Sequence, residues 1–161
     1  MYLKKVIFIC LGNICRSPSA EGVMKHLVKE KGLEDIIFVD SAGIMGYHTG
    51  EKADPRMRKH AMKRGYDLTS LARKFNHLKD FDEFDYVIAM DKSNYDDLRA
   101  KDPQNRYTKK IFMMTDFCIT KEASEVPDPY YGGSDGFELV LDLLEDSCKG
   151  LLERIMSDLE K

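Results

Sequence analysis

The sequence has no excess of positive charge: 25 Lys and Arg stand against 28 Asp and Glu, a formal net charge of −3. A chain so balanced has no overall field to steer it onto nucleic acid. No apolar run approaches the ~18 residues that a membrane span needs. Before Gly12 the apolar stretch is only Val6 to Leu11, so no secretory signal is expected. Cysteine is scarce, at four in 161 residues, which excludes a disulfide scaffold. Cys10 and Cys15 stand five apart, a spacing that suits neither a zinc pair nor Cys-x-x-Cys. Repeats, low-complexity tracts and linkers are missing too. What is present is 43% hydrophobic and 33% charged residues, enough apolar material for one core. One domain over residues 1–161 is expected, in a reducing and hence cytoplasmic setting.

Lys4–Cys10 holds the continuous run Val6-Ile7-Phe8-Ile9, the pattern of a strand buried on both faces. Gly12 and Asn13 break it. A helix is predicted from Ser17-Pro18, with Ser as N-cap and Pro at the first position. Ala20, Val23, Met24, Leu27 and Val28 then fall on one helical face, up to a stop at Gly32. Further strands are predicted at Ile36–Val39, Asp85–Met90 and Lys110–Met114. Further helices are predicted from Asp54-Pro55 to Gly65, from a Ser93-Asn94 cap to about Ala100, and from Phe137 to Leu159. Strands alternating with helices imply a single α/β domain with a four-stranded parallel sheet and helices on both faces. In such sheets ligands bind at the carboxyl ends of the strands. That rule points at Cys10–Ser17, Ser41–His48 and Asp91.

Cys10-Leu11-Gly12-Asn13-Ile14-Cys15-Arg16-Ser17 therefore reads as a phosphate-binding loop between strand 1 and helix 1. Successive N–H groups there can form a nest for a tetrahedral oxyanion, helped by the helix dipole. Gly12 is expected where the loop needs an unusual φ. Arg16 offers a planar fork matched to two phosphate oxygens. Arg16 and the helix end both favour thiolate at Cys10, a nucleophile at neutral pH. Cys148 and Arg154 repeat the Cys-x5-Arg spacing, but inside a helix with no glycine loop, so Cys148 reads as core. A nucleotide loop is excluded, because Gly-x4-Gly-Lys-Ser/Thr is absent. The proton donor is expected to be Asp128, flanked by Pro127 and Pro129, which restrict its backbone.

Cys-Leu-Gly-Asn-Ile-Cys-Arg-Ser-Pro followed by Ala20-Glu21 resembles the low-molecular-weight protein tyrosine phosphatases. So do Asp40-Ser41-Ala42-Gly43, Gly46-Tyr47-His48-x-Gly50, Ala53-Asp54-Pro55-Arg56, Met90-Asp91-x-Ser93-Asn94 and Asp128-Pro129-Tyr130-Tyr131-Gly132, in order along the chain. The resemblance implies Cys10 as a nucleophile forming phosphocysteine, Arg16 as phosphoryl ligand and Asp128 as general acid, then base. It implies that Asn13, Ser17 and Ser41 hold the loop's shape, with Asp91 packed beside it. Tyr47, Tyr130 and Tyr131 would wall the cleft. Cys15 would be a redox partner that captures oxidised Cys10 as a reversible disulfide. Substrates would be phosphotyrosine proteins or peptides and small aryl or acyl phosphates. No cofactor, no metal, no nucleic acid and no membrane span are implied. A monomer is expected.

Two positions depart from some animal members: Ser70 replaces a His that buttresses the loop, and His48 replaces an acidic residue. Two rivals share the fold. An arsenate reductase needs relay cysteines past mid-chain, whereas residues 66–117 have none and Cys118 stands alone before Cys148. A phosphoarginine phosphatase characteristically has Thr where this chain has Ile14. Between residues 52 and 74 eight Lys and Arg face only Asp54 and Asp67, which reads mainly as a solvated helix face.

Overall fold

The computed structural model describes residues 3–161. Its elements run β1 (Lys4–Cys10), α1 (Arg16–Glu30), β2 (Ile37–Gly43), α2 (Pro55–Lys63), α3 (Asp80–Glu83), β3 (Tyr86–Ala89), α4 (Lys92–Ala100), β4 (Ile111–Met113) and α5 (Ser134–Leu159), with 3-10 turns at Thr108–Lys110 and Met114–Phe117. The four strands form one parallel sheet in the order β2-β1-β3-β4. The predicted fold class therefore holds.

Strand alternation sorts the apolar residues into two cores, one on each face of the sheet. Val6, Phe8 and Cys10 pack with Ala20, Val23 and Met24 of α1 and with Phe137 to Ile155 of α5. Ile7 and Ile9 pack with Phe81 of α3, Val87 of β3 and Leu98 of α4. Because both faces are covered, β1 is the apolar run seen in the sequence. Cys148 is fully buried in the first core, as its helical context implied.

Several boundaries move for identifiable reasons. α1 starts at Arg16 with Cys15 at the N-cap position and no side-chain cap. Ser17 is not the cap, because its hydroxyl is engaged with Cys10 and Asn13. Asp91, rather than Ser93 or Asn94, caps α4 by accepting the Asn94 N–H at 2.8 Å. β2 runs on to Gly43, since its last residues pair with the end of β1. A Cβ at Gly43 would sit 2.9 Å from the Leu11 carbonyl oxygen, so only glycine lets β2 end so close to the loop. The short helix α3 had no periodic signal, and α5 begins a turn earlier than its first apolar residue.

Candidate active site

The loop after β1 is shaped by what holds its carbonyls. Ile44, Met45 and Asp54 donate N–H groups to the carbonyl oxygens of Cys10, Leu11 and Ile14 at 2.9, 2.9 and 2.8 Å. With the carbonyls drawn outward, none of the N–H groups from Leu11 to Cys15 donates to another described residue. Free main-chain donors beside a helix N-terminus are the elements of an anion nest.

The turn itself corrects one expectation. Asn13, not Gly12, takes the left-handed conformation, at φ 59°. Asn tolerates that region because its short amide bonds locally. Here Asn13 Nδ2 donates to Ser17 Oγ at 2.7 Å and to Ser41 Oγ at 3.0 Å, while its Oδ1 accepts the Arg73 N–H at 3.0 Å. A Cβ at Gly12 would lie 3.1 Å from His48 Cδ2, so a side chain there would have to push that ring back by a few tenths of an ångström. Ser41 Oγ in turn donates to Glu21 Oε1 at 2.5 Å.

Cys10 lies at the floor, with Ser17 Oγ 3.0 Å from its sulfur. Arg16 is 3% exposed, its Nη1 donating to Asp91 Oδ2 at 2.6 Å and to the Val126 carbonyl at 3.0 Å. Its Nη2 lies 3.6 Å from Asp128 Oδ2. Burial works against the Arg16 charge, but Cys10, Asp91 and Asp128 outweigh it and hold its pKa above the ordinary value. Burial pushes the Cys15 thiol well up, with Asp54 and Cys10 adding to the rise. A cleft of about 220 Å³ is lined by Cys10, Leu11, Gly12, Ile14, Cys15, Arg16, Tyr47, His48, Asp128, Tyr130 and Tyr131. The three residues predicted to react and the predicted aromatic wall thus meet in one cleft. Asp128 also caps its own turn, with Oδ1 accepting the Tyr130 N–H at 3.0 Å.

The sequence reading missed several supports. Glu21 is buried and pairs with Lys25 at 2.5 Å; a carboxyl one turn after Ser17, on the face that goes on to Met24 and Val28, was the available signal. Arg73 bridges Asp40 and Asp80 at 3.0 and 2.9 Å, and Arg56 pairs with Asp54 at 3.0 Å. Arg64 pairs with Glu138, Asp142 and Glu145 at 2.6, 2.9 and 2.7 Å. Three arginines of the basic stretch are therefore ion-paired rather than merely solvated, and for Arg64 and Arg73 the partners lie outside that stretch. Among the described residues no cluster of three or more His, Cys, Asp or Glu could hold a metal ion.

Fold and cleft together define an α/β domain with a loop of unpaired main-chain donors at the mouth of its parallel sheet. The family model for low molecular weight phosphotyrosine protein phosphatase matches residues 5–161, and the chain belongs to that family of hydrolases. A Synechocystis sp. protein named for the same family is 47% identical over 155 residues, 96% of this chain and 98% of its own. The solved protein tyrosine phosphatase from Entamoeba histolytica, with Hepes in its active site, is 48% identical with a TM-score of 0.93, covering 96% of this chain and 98% of that one. A Drosophila arginine phosphatase is 34% identical with a TM-score of 0.86, covering 94% of this chain and 97% of its own. No described helix is long and apolar enough to cross a membrane.

Proposed function

We propose that the chain hydrolyses phosphotyrosine, and small aryl and acyl phosphates, through a covalent phosphocysteine on Cys10. The phosphoryl group sits on the free N–H groups of the loop, with Arg16 spanning two of its oxygens. Cys10 Sγ attacks phosphorus as the bond to the phenolic oxygen breaks. Asp128 gives its proton to that oxygen, so tyrosine leaves neutral. The Asp128 carboxylate then takes a proton from water, whose oxygen attacks phosphorus. The S–P bond breaks, phosphate departs, and Cys10 returns as a thiolate stabilised by the Ser17 hydroxyl. Tyr47, His48, Tyr130 and Tyr131 hold the phenyl ring between them.

The observation that supports this best is the alignment of Cys10, Arg16 and Asp128 in one cleft, with Arg16 3.6 Å from Asp128. Cys15 belongs to the same reading. Hydrogen peroxide converts the Cys10 thiolate to sulfenic acid with release of hydroxide, and the Cys15 thiol condenses with the sulfenic acid to a disulfide, releasing water. A reducing, cytoplasmic setting would restore the dithiol.

The test is turnover of phosphotyrosine, phosphoserine and phosphoarginine peptides by wild type, Cys10→Ser and Asp128→Ala. Phosphotyrosine turnover is expected, abolished in Cys10→Ser and slowed about 10²–10⁴-fold in Asp128→Ala. Activity in Cys10→Ser equal to wild type refutes the mechanism. Preference for phosphoarginine, the chemistry in the name of the Drosophila neighbour, refutes the substrate assignment.

A further inference from the structure

Arg56 bridges the phosphate loop and the Asp128 segment. Its Nε and Nη2 donate to Asp54 Oδ1 and Oδ2 at 3.2 and 3.0 Å, and Nη2 also donates to the Tyr130 carbonyl at 3.0 Å. Its Cζ lies 5.3 Å from the Tyr130 ring centroid and 5.1 Å from that of Phe137. Asp54 is 7% exposed, and its own N–H holds the Ile14 carbonyl at 2.8 Å. Contacts therefore run without a break from Ile14 through Asp54 and Arg56 to Tyr130, two residues past Asp128.

The other side of Asp128 is anchored separately. Val126 donates its N–H to the Met90 carbonyl at 2.8 Å and gives its carbonyl to Arg16 at 3.0 Å. Asp128 is thus slung between two arginine-held points. Pro127 and Pro129 stiffen the span, but stiffness sets no position; the anchors do. A general acid must reach its proton acceptor within hydrogen-bond distance.

We infer that Arg56 is a positioning residue for the acid step: it fixes the downstream end of the Asp128 segment and so sets the reach of that carboxyl to the leaving-group oxygen. The inference rests on the reading of Asp128 as acid and base. Arg56 acts on Asp128 through the Tyr130 backbone and leaves the phosphoryl group to the loop and Arg16. Its side chain is 48% exposed, so removing it opens no core cavity.

The experiment compares wild type, Arg56→Met, Arg56→Lys, Asp128→Ala and the Arg56→Met/Asp128→Ala double variant. Substrates are a phosphotyrosine peptide and an aryl phosphate whose phenol leaves without protonation, with inhibition by inorganic phosphate measured alongside. Arg56→Met should lower kcat on the peptide about tenfold, as expected for a displaced catalytic group. On the activated aryl phosphate, and in the Asp128→Ala background, the further loss should stay under about twofold, because the two residues act as one unit. KM and phosphate inhibition should hold within about twofold, and Arg56→Lys, which keeps the charge without the planar fork, should recover part of kcat. No loss in Arg56→Met, equal losses in both backgrounds, equal losses on both substrates, or weakened phosphate inhibition each overturns the assignment. If instead Asp128→Ala alone matches wild type on the peptide, the acid–base reading fails first and takes the assignment with it.

Discussion

Asp91 divides its carboxylate between Arg16 and a helix. Oδ2 accepts Arg16 Nη1 at 2.6 Å while Oδ1 accepts the Asn94 N–H that opens α4. The exit of β3 is thereby tied to the loop after β1, across two adjacent strands. The two functions can be separated. Asp91→Asn keeps an oxygen for the cap but leaves the buried Arg16 without its full countercharge. A loss of about 2–4 kcal/mol in urea unfolding is expected, near the range for breaking a buried pair. Asp91→Ala should cost about 1 kcal/mol more, the usual worth of an N-cap. Both variants should raise KM, since Arg16 would no longer be held in place. Equal stabilities for the two would show that the cap contributes nothing.

Asn13 offers a second separable pair of effects, conformational and hydrogen-bonding. Ala at φ 59° suffers the left-handed clash of roughly 1–2 kcal/mol and also strands Ser17, Ser41 and the Arg73 N–H. Gly strands the same partners but suffers no clash. Asn13→Gly should therefore be the more stable of the two by about 1 kcal/mol, with both below wild type. Thermal unfolding decides it. If Asn13→Ala is the more stable, the left-handed geometry is not what demands Asn here.

The cysteines should differ in reactivity. Cys148 is fully buried, and burial also pushes its thiol well up. Cys15 is 4% exposed and raised for the same first reason. Cys10 is as buried, at 3% exposed, and lines the same cleft as Cys15, but its sulfur sits beside the Arg16 guanidinium and 3.0 Å from the Ser17 hydroxyl. At neutral pH, iodoacetamide on the native protein should modify Cys10 and spare Cys15 and Cys148. Phosphate in the cleft should slow that reaction, and peptide mapping by mass spectrometry would read out both. Rapid native labelling of Cys148 would contradict its place in the core.

The reach of the sequence follows the range of the forces involved. β1, α1 and the anion loop are local patterns, an apolar run and a turn into an amphipathic helix, and they were legible at once. Cys10, Arg16 and Asp128, which the structure brings into one cleft, could be singled out because each sits in a distinctive local setting. What escaped depends on partners far along the chain. Nothing near Arg73 announces that its N–H will hold Asn13, sixty positions away. Nothing near Ile44 or Met45 says that their amides will turn the loop's carbonyls outward. The Ser17 error has the same root: a good cap by local rule was claimed by a tertiary bond to Cys10. Gly12 was misassigned because the left-handed turn falls one residue later, at Asn13, held there by bonds to the distant Ser41 and Arg73.

Away from the cleft, Asp146 gives a stability prediction whose sign follows from its surroundings. Its carboxylate accepts the N–H groups of Ile119 at 2.9 Å, Thr120 at 3.1 Å and Lys121 at 3.0 Å, and the Thr120 hydroxyl at 2.8 Å. Burial opposes its charge, but the bonds from Lys121, Thr120 and Ile119 outweigh it and bring the pKa down to about 2. A depressed carboxylate stabilises the fold at pH values above its unfolded pKa. That contribution fades as pH falls through the native value. Asp146→Ala should therefore cost about 2 kcal/mol at pH 7, from lost charge-assisted bonds and stranded amides. The unfolded carboxyl titrates near pH 4, so the part of that gap due to charge should shrink from about pH 4 down to pH 2. Urea midpoints of wild type and variant across that range provide the check. A gap that is constant from pH 7 to pH 2 would mean that Asp146 stabilises by packing alone.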